Sequence, residues 1–253
     1  MQEPVAEFTK VESIFVRHRN CLLLRADFTP IFTDYYLQLM DVGERHPENL
    51  DTTLKDHLAM LTLHLTARPW AETIAWTVNL RAPRVNFFAT GSSVHENIVG
   101  RLFTKDVREP DRNFLYSQTT LPGEKPRLST IEVNTSNPME WVEEFYKQSE
   151  QRPGRAFRLS DDNYVLIAAQ PDFDKEWLES LTPEMVEEIL EKEETKTLET
   201  RRFKFHCGCS LEKILSTLGA WKEKPEELFG DDKQLKLQCP RCAKKYIIER
   251  GDL

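Results

Sequence analysis

Four of the chain's five cysteines fall in its last fifth, as Cys207-Gly208-Cys209 and, 29 residues later, Cys239-Pro240-Arg241-Cys242. No other feature restricts the fold so strongly. Four thiols at these spacings close around one zinc ion in tetrahedral geometry, each sulfur about 2.3 Å from the metal. Cys-x-x-Cys is the common zinc spacing and says little alone. Cys-x-Cys is less usual, and the two together are specific. The reading is one Zn²⁺ per chain, held by Cys207, Cys209, Cys239 and Cys242, with His206 weighed against them as a competing ligand. The fifth thiol, Cys21, stands in the apolar run Cys21-Leu22-Leu23-Leu24. It reads as a small buried hydrophobe rather than a reactive group.

The residues around the two pairs suit such a site. Ser210 is a candidate N-cap for a helix carrying Leu211, Ile214, Leu215 and Leu218, with Gly219 past its end. That puts the first pair just before a helix N-terminus, a position expected to lower thiol pKa. Residues 234–238 and 246–249 read as the strands of a hairpin with the second pair in its turn. About fifty residues with few large apolar side chains fold poorly unaided, and zinc contributes on the order of 10 kcal/mol to such modules. Once metal leaves, each pair is able to close on itself, and oxidation then becomes unfolding of the tail.

The body of the chain differs in charge. The net charge of the 253 residues is −8. Residues 201–253 hold 12 Lys/Arg against 8 Asp/Glu, which leaves 22 against 34 for residues 1–200. Metal-bound thiolates lower the tail's excess further. An acidic body with so weak a basic tail does not suit a phosphate backbone, and nucleic acid is not the expected partner. Met1-Gln2-Glu3-Pro4 shows no basic or apolar leader pattern, and no apolar run approaches the length of a membrane span. A reducing, cytoplasmic setting is expected, where clustered cysteines mean metal or redox work.

Along the body, Ile14–Val16 and Cys21–Leu24 read as strands and Phe28 to Tyr36 as the start of a helix. Leu50, Leu54, Leu58, Leu61 and Leu65 recur at helical spacing and predict an amphipathic helix ended by Pro69. His57 and His64 lie on it two turns apart, too far for one ion, and read as partly exposed. Strands are expected at 73–80, 85–89, 98–103, 113–118 and 128–133, with one face solvated. Asn137-Pro138-Met139-Glu140 signals a capped helix to about residue 151, and strands follow at 157–159 and 164–169. Residues 171–200 are rich in Asp and Glu and lack glycine. Thr182-Pro183-Glu184 opens a short helix there, and Glu191 to Glu199 reads either as a solvated connecting helix or as a weakly held segment.

Two patches carry a resemblance. Phe205-x-Cys207-x-Cys209-Ser210, the Cys239-x-x-Cys242 pair and Tyr246 resemble the C-terminal zinc module of the redox-regulated chaperone family, heat shock protein 33. Trp141 to Pro153, with Ser149-Glu150-Gln151-Arg152-Pro153 at its end, is similar to that family's helix, and Ala169-Gln170-Pro171 to the segment closing its core. The chain resembles a divergent member. The resemblance implies a cytoplasmic holdase without catalytic turnover, inactive while reduced and zinc-bound. Oxidant releases the zinc and unfolds the linker, and the exposed surface binds unfolded or partly unfolded client proteins. It further implies one disulfide between Cys207 and Cys209, another between Cys239 and Cys242, and a homodimer on activation.

The fold expected is α+β: a mostly antiparallel sheet with helices on one side (1–170, the client-binding core), an acidic helical linker (171–202) and a small four-cysteine zinc module (203–253). Two other classes compete with the holdase. One is a constitutive protein- or nucleic-acid-binding module with a purely structural zinc. The other is a thiol oxidoreductase using Cys239 and Cys242, which lacks the strand–motif–helix context such enzymes need. No phosphate loop, nucleophile elbow or metallohydrolase motif is present.

Overall fold

The helix expected from the leucine spacing, Glu48–Thr66, lies at the centre of the molecule. The computed structural model describes residues 8–160, 162–221 and 223–252. In chain order the elements are β1 (Thr9–Val16), β2 (Cys21–Asp27), α1 (Thr29–Val42), α2 (Glu48–Thr66), β3 (Thr73–Leu80), β4 (Val85–Ser92), β5 (Asn97–Phe103), β6 (Phe114–Thr120), β7 (Arg127–Glu132), α3 (Pro138–Gln148), β8 (Gly154–Arg158) and β9 (Asn163–Ala169). Then come α4 (Lys175–Ser180), α5 (Pro183–Glu187), α6 (Ile189–Lys192), β10 (Thr195–Phe205), α7 (Leu211–Thr217), α8 (Pro225–Phe229), β11 (Gln234–Gln238) and β12 (Lys245–Glu249). The chain is thus a mixed helix and sheet protein, and none of the described helices is long and apolar enough to cross a membrane.

α2 corrects the amphipathic reading. From Leu58 to Thr66 every residue is buried, the polar ones included. The reason is tertiary: sheet strands pack on one side of the helix and α3 on the other, so no face is left for water. Most of the polar side chains find partners inside the protein, though His57 Nε2 has none among the described residues. Thr62 and Thr66 donate to the carbonyls of Leu58 and Thr62. Asp56 accepts a 2.6 Å bond from the Tyr164 hydroxyl. His57 and His64, expected to be partly exposed, are each 1% exposed. Both rings lie against Trp76, and His64 Nδ1 is 3.1 Å from the Tyr146 hydroxyl. Burial holds His57 down at about 4 and His64 well below the ordinary histidine value, so both are neutral core residues. The sheet meets α2 closely. A Cβ on Gly100 would sit 2.7 Å from the Phe88 carbonyl and 2.8 Å from Leu58, and one on Gly91 2.5 Å from Leu65. Glycine is required there for close approach, not for a turn.

One ten-stranded sheet runs in the order β7-β6-β3-β4-β5-β10-β1-β2-β9-β8. The expected strands are present, and β3 and β6 alternate buried and exposed residues as a half-solvated sheet should. The N-cap of α3 also forms, the Asn137 side chain accepting from the Met139 N–H. Its capping box is altered: Glu140 accepts from the Asn137 side-chain amide, and Thr135 takes the Asn137 N–H.

The acidic segment departs most from expectation. Its first part is helical. Asp174 and Thr182 cap α4 and α5 through the N–H groups of Trp177 and Met185. These helices bury Trp177, Leu178, Leu181, Val186 and Ile189 against Val16, Leu23, Phe157 and Ile167. They cover the sheet face opposite α2, so helices flank this half of the sheet on both sides. Arg19 ties the start of the segment to its end through Asp174 and Glu193. From Thr195 the chain is neither helix nor loose connection but a strand. β10 pairs antiparallel with β1 along its length, with a bulge at Ser13/Ile14. It meets β5 in parallel only at Lys204 and Phe205. The polarity that suggested a solvated helix belongs to the exposed side of the strand, while Arg201, Phe203 and Phe205 point into the protein. Arg201 is almost wholly buried, donating to the Leu65 carbonyl and pairing with Glu199.

Candidate metal centre

β10 delivers the first cysteine pair to the site. Phe205 packs edge-on against Tyr35 of α1, with 5.5 Å between ring centroids. The His206 N–H donates to the Ile98 carbonyl at 2.9 Å, and its carbonyl accepts from the Asn97 amide at 2.8 Å. The chain is therefore clamped to β5 as it leaves the sheet. Gly208, at φ +66°, then reverses direction between the two thiols, a conformation that favours glycine. Ser210 caps α7 as expected, accepting from the Lys213 N–H.

The second pair sits in the turn between β11 and β12, whose five-residue register runs from Gln234↔Glu249 to Gln238↔Lys245. The Ala243 N–H donates to the Cys239 carbonyl at 2.9 Å, and the Cys239 N–H to Lys244 at 2.8 Å. These bonds fold Cys239 to Cys242 into a knuckle with both sulfurs on one side.

All four sulfurs converge within 4.8 Å of one another. Cys207 Sγ is 3.7 Å from Cys239 Sγ, and Cys209 Sγ is 3.5 Å from Cys242 Sγ. A tetrahedron of sulfurs at zinc–thiolate bond length has edges of about 3.8 Å, so the donor set and its spacing fit a tetrahedral thiophilic ion. His206 stands outside this group. Cys21 lies on β2 with its thiol buried, pushed up to about 12 chiefly by burial.

The thiols differ from one another electrostatically. Burial pushes Cys207 well above the usual thiol range, opposed by Arg241 and reinforced by the neighbouring sulfurs. At Cys207 the direction is thus opposite to the lowering expected for the first pair, because burial acts against the thiolate. Burial likewise raises Cys242, to about 12. At Cys239 burial acts upward too, but N–H groups of Arg241 and Cys242 directed at the sulfur bring the net value below the ordinary one. A cation placed among the sulfurs would favour their thiolate forms.

Several further residues support the cluster, and all but Tyr246 carry no signal in the sequence. The Tyr246 hydroxyl donates to Cys209 Sγ at 3.0 Å, and Arg241 donates to the Cys207 carbonyl at 3.2 Å. The body reaches the knuckle through Gln38, which donates to the Cys242 carbonyl. Arg101 and Glu44 pair at 2.6 Å, and Gln238 hydrogen-bonds to both. Only Tyr246 was visible beforehand, as part of the quoted resemblance.

A mixed sheet whose last strand runs directly into a four-thiol cluster defines a protein with a tail able to hold a metal ion. The comparisons narrow the class. The family model described as "Hsp33 protein" matches residues 158–249. A 33 kDa chaperonin of Acholeplasma laidlawii is 37% identical over 73 residues, covering 28% of this chain and 25% of that protein. Another, from Caldanaerobacter subterraneus subsp. tengcongensis, is 28% identical over 158 residues, covering 51% of this chain and 54% of that one. The chain thus spans between a quarter and about half of these curated relatives. The solved structure of the Thermotoga maritima 33 kDa chaperonin, a heat shock protein 33 homolog, superposes with a TM-score of 0.75 over 97% of this chain and 96% of that one, at 13% identity. That likeness extends the shared fold over the body as well as the tail. The tail and the strands before it thus match the Hsp33 family model, and the chain as a whole shares the fold of the Thermotoga protein.

Proposed function

We propose that this protein is a redox-regulated holdase. In the resting state Cys207, Cys209, Cys239 and Cys242 hold one Zn²⁺, which keeps the tail folded. The convergence of four sulfurs at tetrahedral spacing carries the reading, and the chaperonin name borne by the relatives supports it. Oxidation forms one disulfide between Cys207 and Cys209 and one between Cys239 and Cys242, and the ion leaves. Each disulfide returns two electrons to the oxidant, and the protein performs no turnover.

In this reading residues 203–253 are the sensor, 171–202 the responding segment and 1–170 the client-binding core. β10 crosses the boundary between sensor and segment, so loss of the tail's fold is transmitted along a strand that is also part of the sheet. Release of α4 to α6 uncovers Val16, Leu23, Phe157 and Ile167, an apolar face suited to unfolded clients and to a second copy of the chain. The protein acts in the cytoplasm, where thiols stay reduced until stress.

The test is to treat the reduced, zinc-loaded chain with peroxide at mildly raised temperature and follow zinc release and aggregation of a denatured client together. About one zinc per chain should leave as aggregation is suppressed. Zinc retention with no change in aggregation would sink the proposal. One observation favours a second reading, a constitutive module with structural zinc: β10 is paired along its whole length and the knuckle is anchored by Gln38, Glu44 and Arg101. Client binding equal in the reduced and oxidised states would select it.

A further inference from the structure

A cleft of about 780 Å³ opens between the four-cysteine tail and the ends of β3, β4 and β5. Cys207 and Cys209 form part of its wall, and so do Lys204, Lys213 and Arg241. No Asp or Glu lines it. Two of the cations are fixed beside the cysteine loop: Lys213 Nζ donates to the Gly208 carbonyl at 2.7 Å and Arg241 to the Cys207 carbonyl at 3.2 Å. The Asp34 carboxyl, on α1, interacts with Lys204 and His206 from outside the lining.

This distribution is unexpected for the charges around it. The chain carries a net charge of −8, and a zinc ion with four thiolates carries about −2. Both repel anions. Three cations around the accessible side of Cys207 and Cys209 reverse that repulsion locally, and a concave site with low-dielectric walls focuses the field.

We propose that this cleft admits small anionic disulfides, molecules bearing carboxylates on both halves, to the Cys207/Cys209 side of the cluster. The carboxylates pair with Lys204, Lys213 and Arg241. A cysteine thiolate then attacks one sulfur of the reagent. The reagent's S–S bond breaks, its other half departs as a thiolate with the electron pair, and the cysteine is left in a mixed disulfide. The inference rests on the proposed function only in requiring that these thiols react.

The test uses the full, reduced, zinc-loaded chain and three disulfide probes: dianionic 5,5′-dithiobis(2-nitrobenzoate), neutral 2,2′-dithiodipyridine and dicationic cystamine. Each rate is divided by that of a short cysteine peptide to remove intrinsic reactivity. At low salt the dianion should be favoured over the neutral probe by about tenfold, with the dication disfavoured. The preference should vanish as salt shortens the Debye length to a few ångströms. Lys204→Gln, which removes a charge without touching the cysteine loop, should cut the dianion's rate severalfold and leave the neutral probe's rate and the zinc content unchanged. Lys204→Gln/Lys213→Gln should cut it further. A dianion-to-neutral ratio indifferent to salt and to both variants overturns the proposal, as does a chain whose thiols react with none of the probes. Failure of the oxidised chain to suppress aggregation would overturn the holdase reading and leave the charge preference standing.

Discussion

α2 and α7 both read in the sequence as helices with spaced apolar residues, and the structure treats them in opposite ways. α2 is enclosed on every side and buries nearly everything from Leu54 onward, while α7 buries none of its residues. Around α2 a large apolar cluster joins sheet and helices. Among the described residues between 206 and 252 the well-buried apolar side chains are few: Phe229, Ala243 and Ile248, beside Cys239 and Cys242. The body is held by area removed from water, which needs no cofactor. In the proposed function the tail is held by an ion shared among its four sulfurs. On that reading the chain contains one region that resists chemistry and one whose fold depends on it.

The sharpest way to break that contrast is to remove a ligand. Cys239→Ser should abolish stoichiometric zinc binding and cost the tail most of a metal contribution on the order of 10 kcal/mol. Residues 206–252 should lose hydrogen-exchange protection while α2 keeps it. The reverse experiment strikes the body. Gly100→Ala or Gly91→Ala forces a methyl into contacts under 3 Å with α2 and the sheet, and should destabilise the protein by about 1–3 kcal/mol. Urea unfolding monitored at Trp76 and Trp141 reads this, and zinc content of the folded fraction should not change.

Acid separates the regions more gently. The folded value of His57 is about 4, below the ordinary 6.5, so between these values the unfolded chain binds the extra proton. The contribution is complete above about pH 6.5 and is lost as pH falls toward 4, at up to about 1.4 kcal/mol per pH unit. Asp56, whose carboxyl burial raises, acts in the opposite direction. The effect of His57 is isolated by comparing urea midpoints at pH 7 and pH 5 with those of His57→Leu, which should show the smaller drop. The smallest effect is at Cys21. Alkylation of the native, metal-stripped chain should modify Cys21 last, since its thiol is buried and held near 12.

The contrast also shows which features a sequence discloses. The four-thiol cluster was legible because metal geometry constrains residue type and spacing directly: all four cysteines converge, and the Ser210 cap and the β11–β12 hairpin are where the spacing put them. Strands β3 and β6 were legible because one face is wet and the alternation survives. α2 was misjudged because enclosure on all sides is a tertiary fact that leucine spacing does not encode, and His57 and His64 inherited the error. β10 was misjudged because its polar residues report only its exposed side. Its partner, β1, lies 179 to 194 residues away in the chain. Arg101, Glu44 and Gln38, which steady the knuckle, are ordinary polar residues until the fold brings them there.

The dependence of the tail on its metal is the claim from which the proposed switch follows. Hydrogen exchange on the full chain before and after zinc is chelated, under reducing conditions, tests it without invoking clients or oxidants. Residues 206–252 should become unprotected while α2 and β3 to β5 remain as they were, with β10 loosening from its β5 end, where two residue pairs hold it. A tail that keeps its protection without metal would contradict the account.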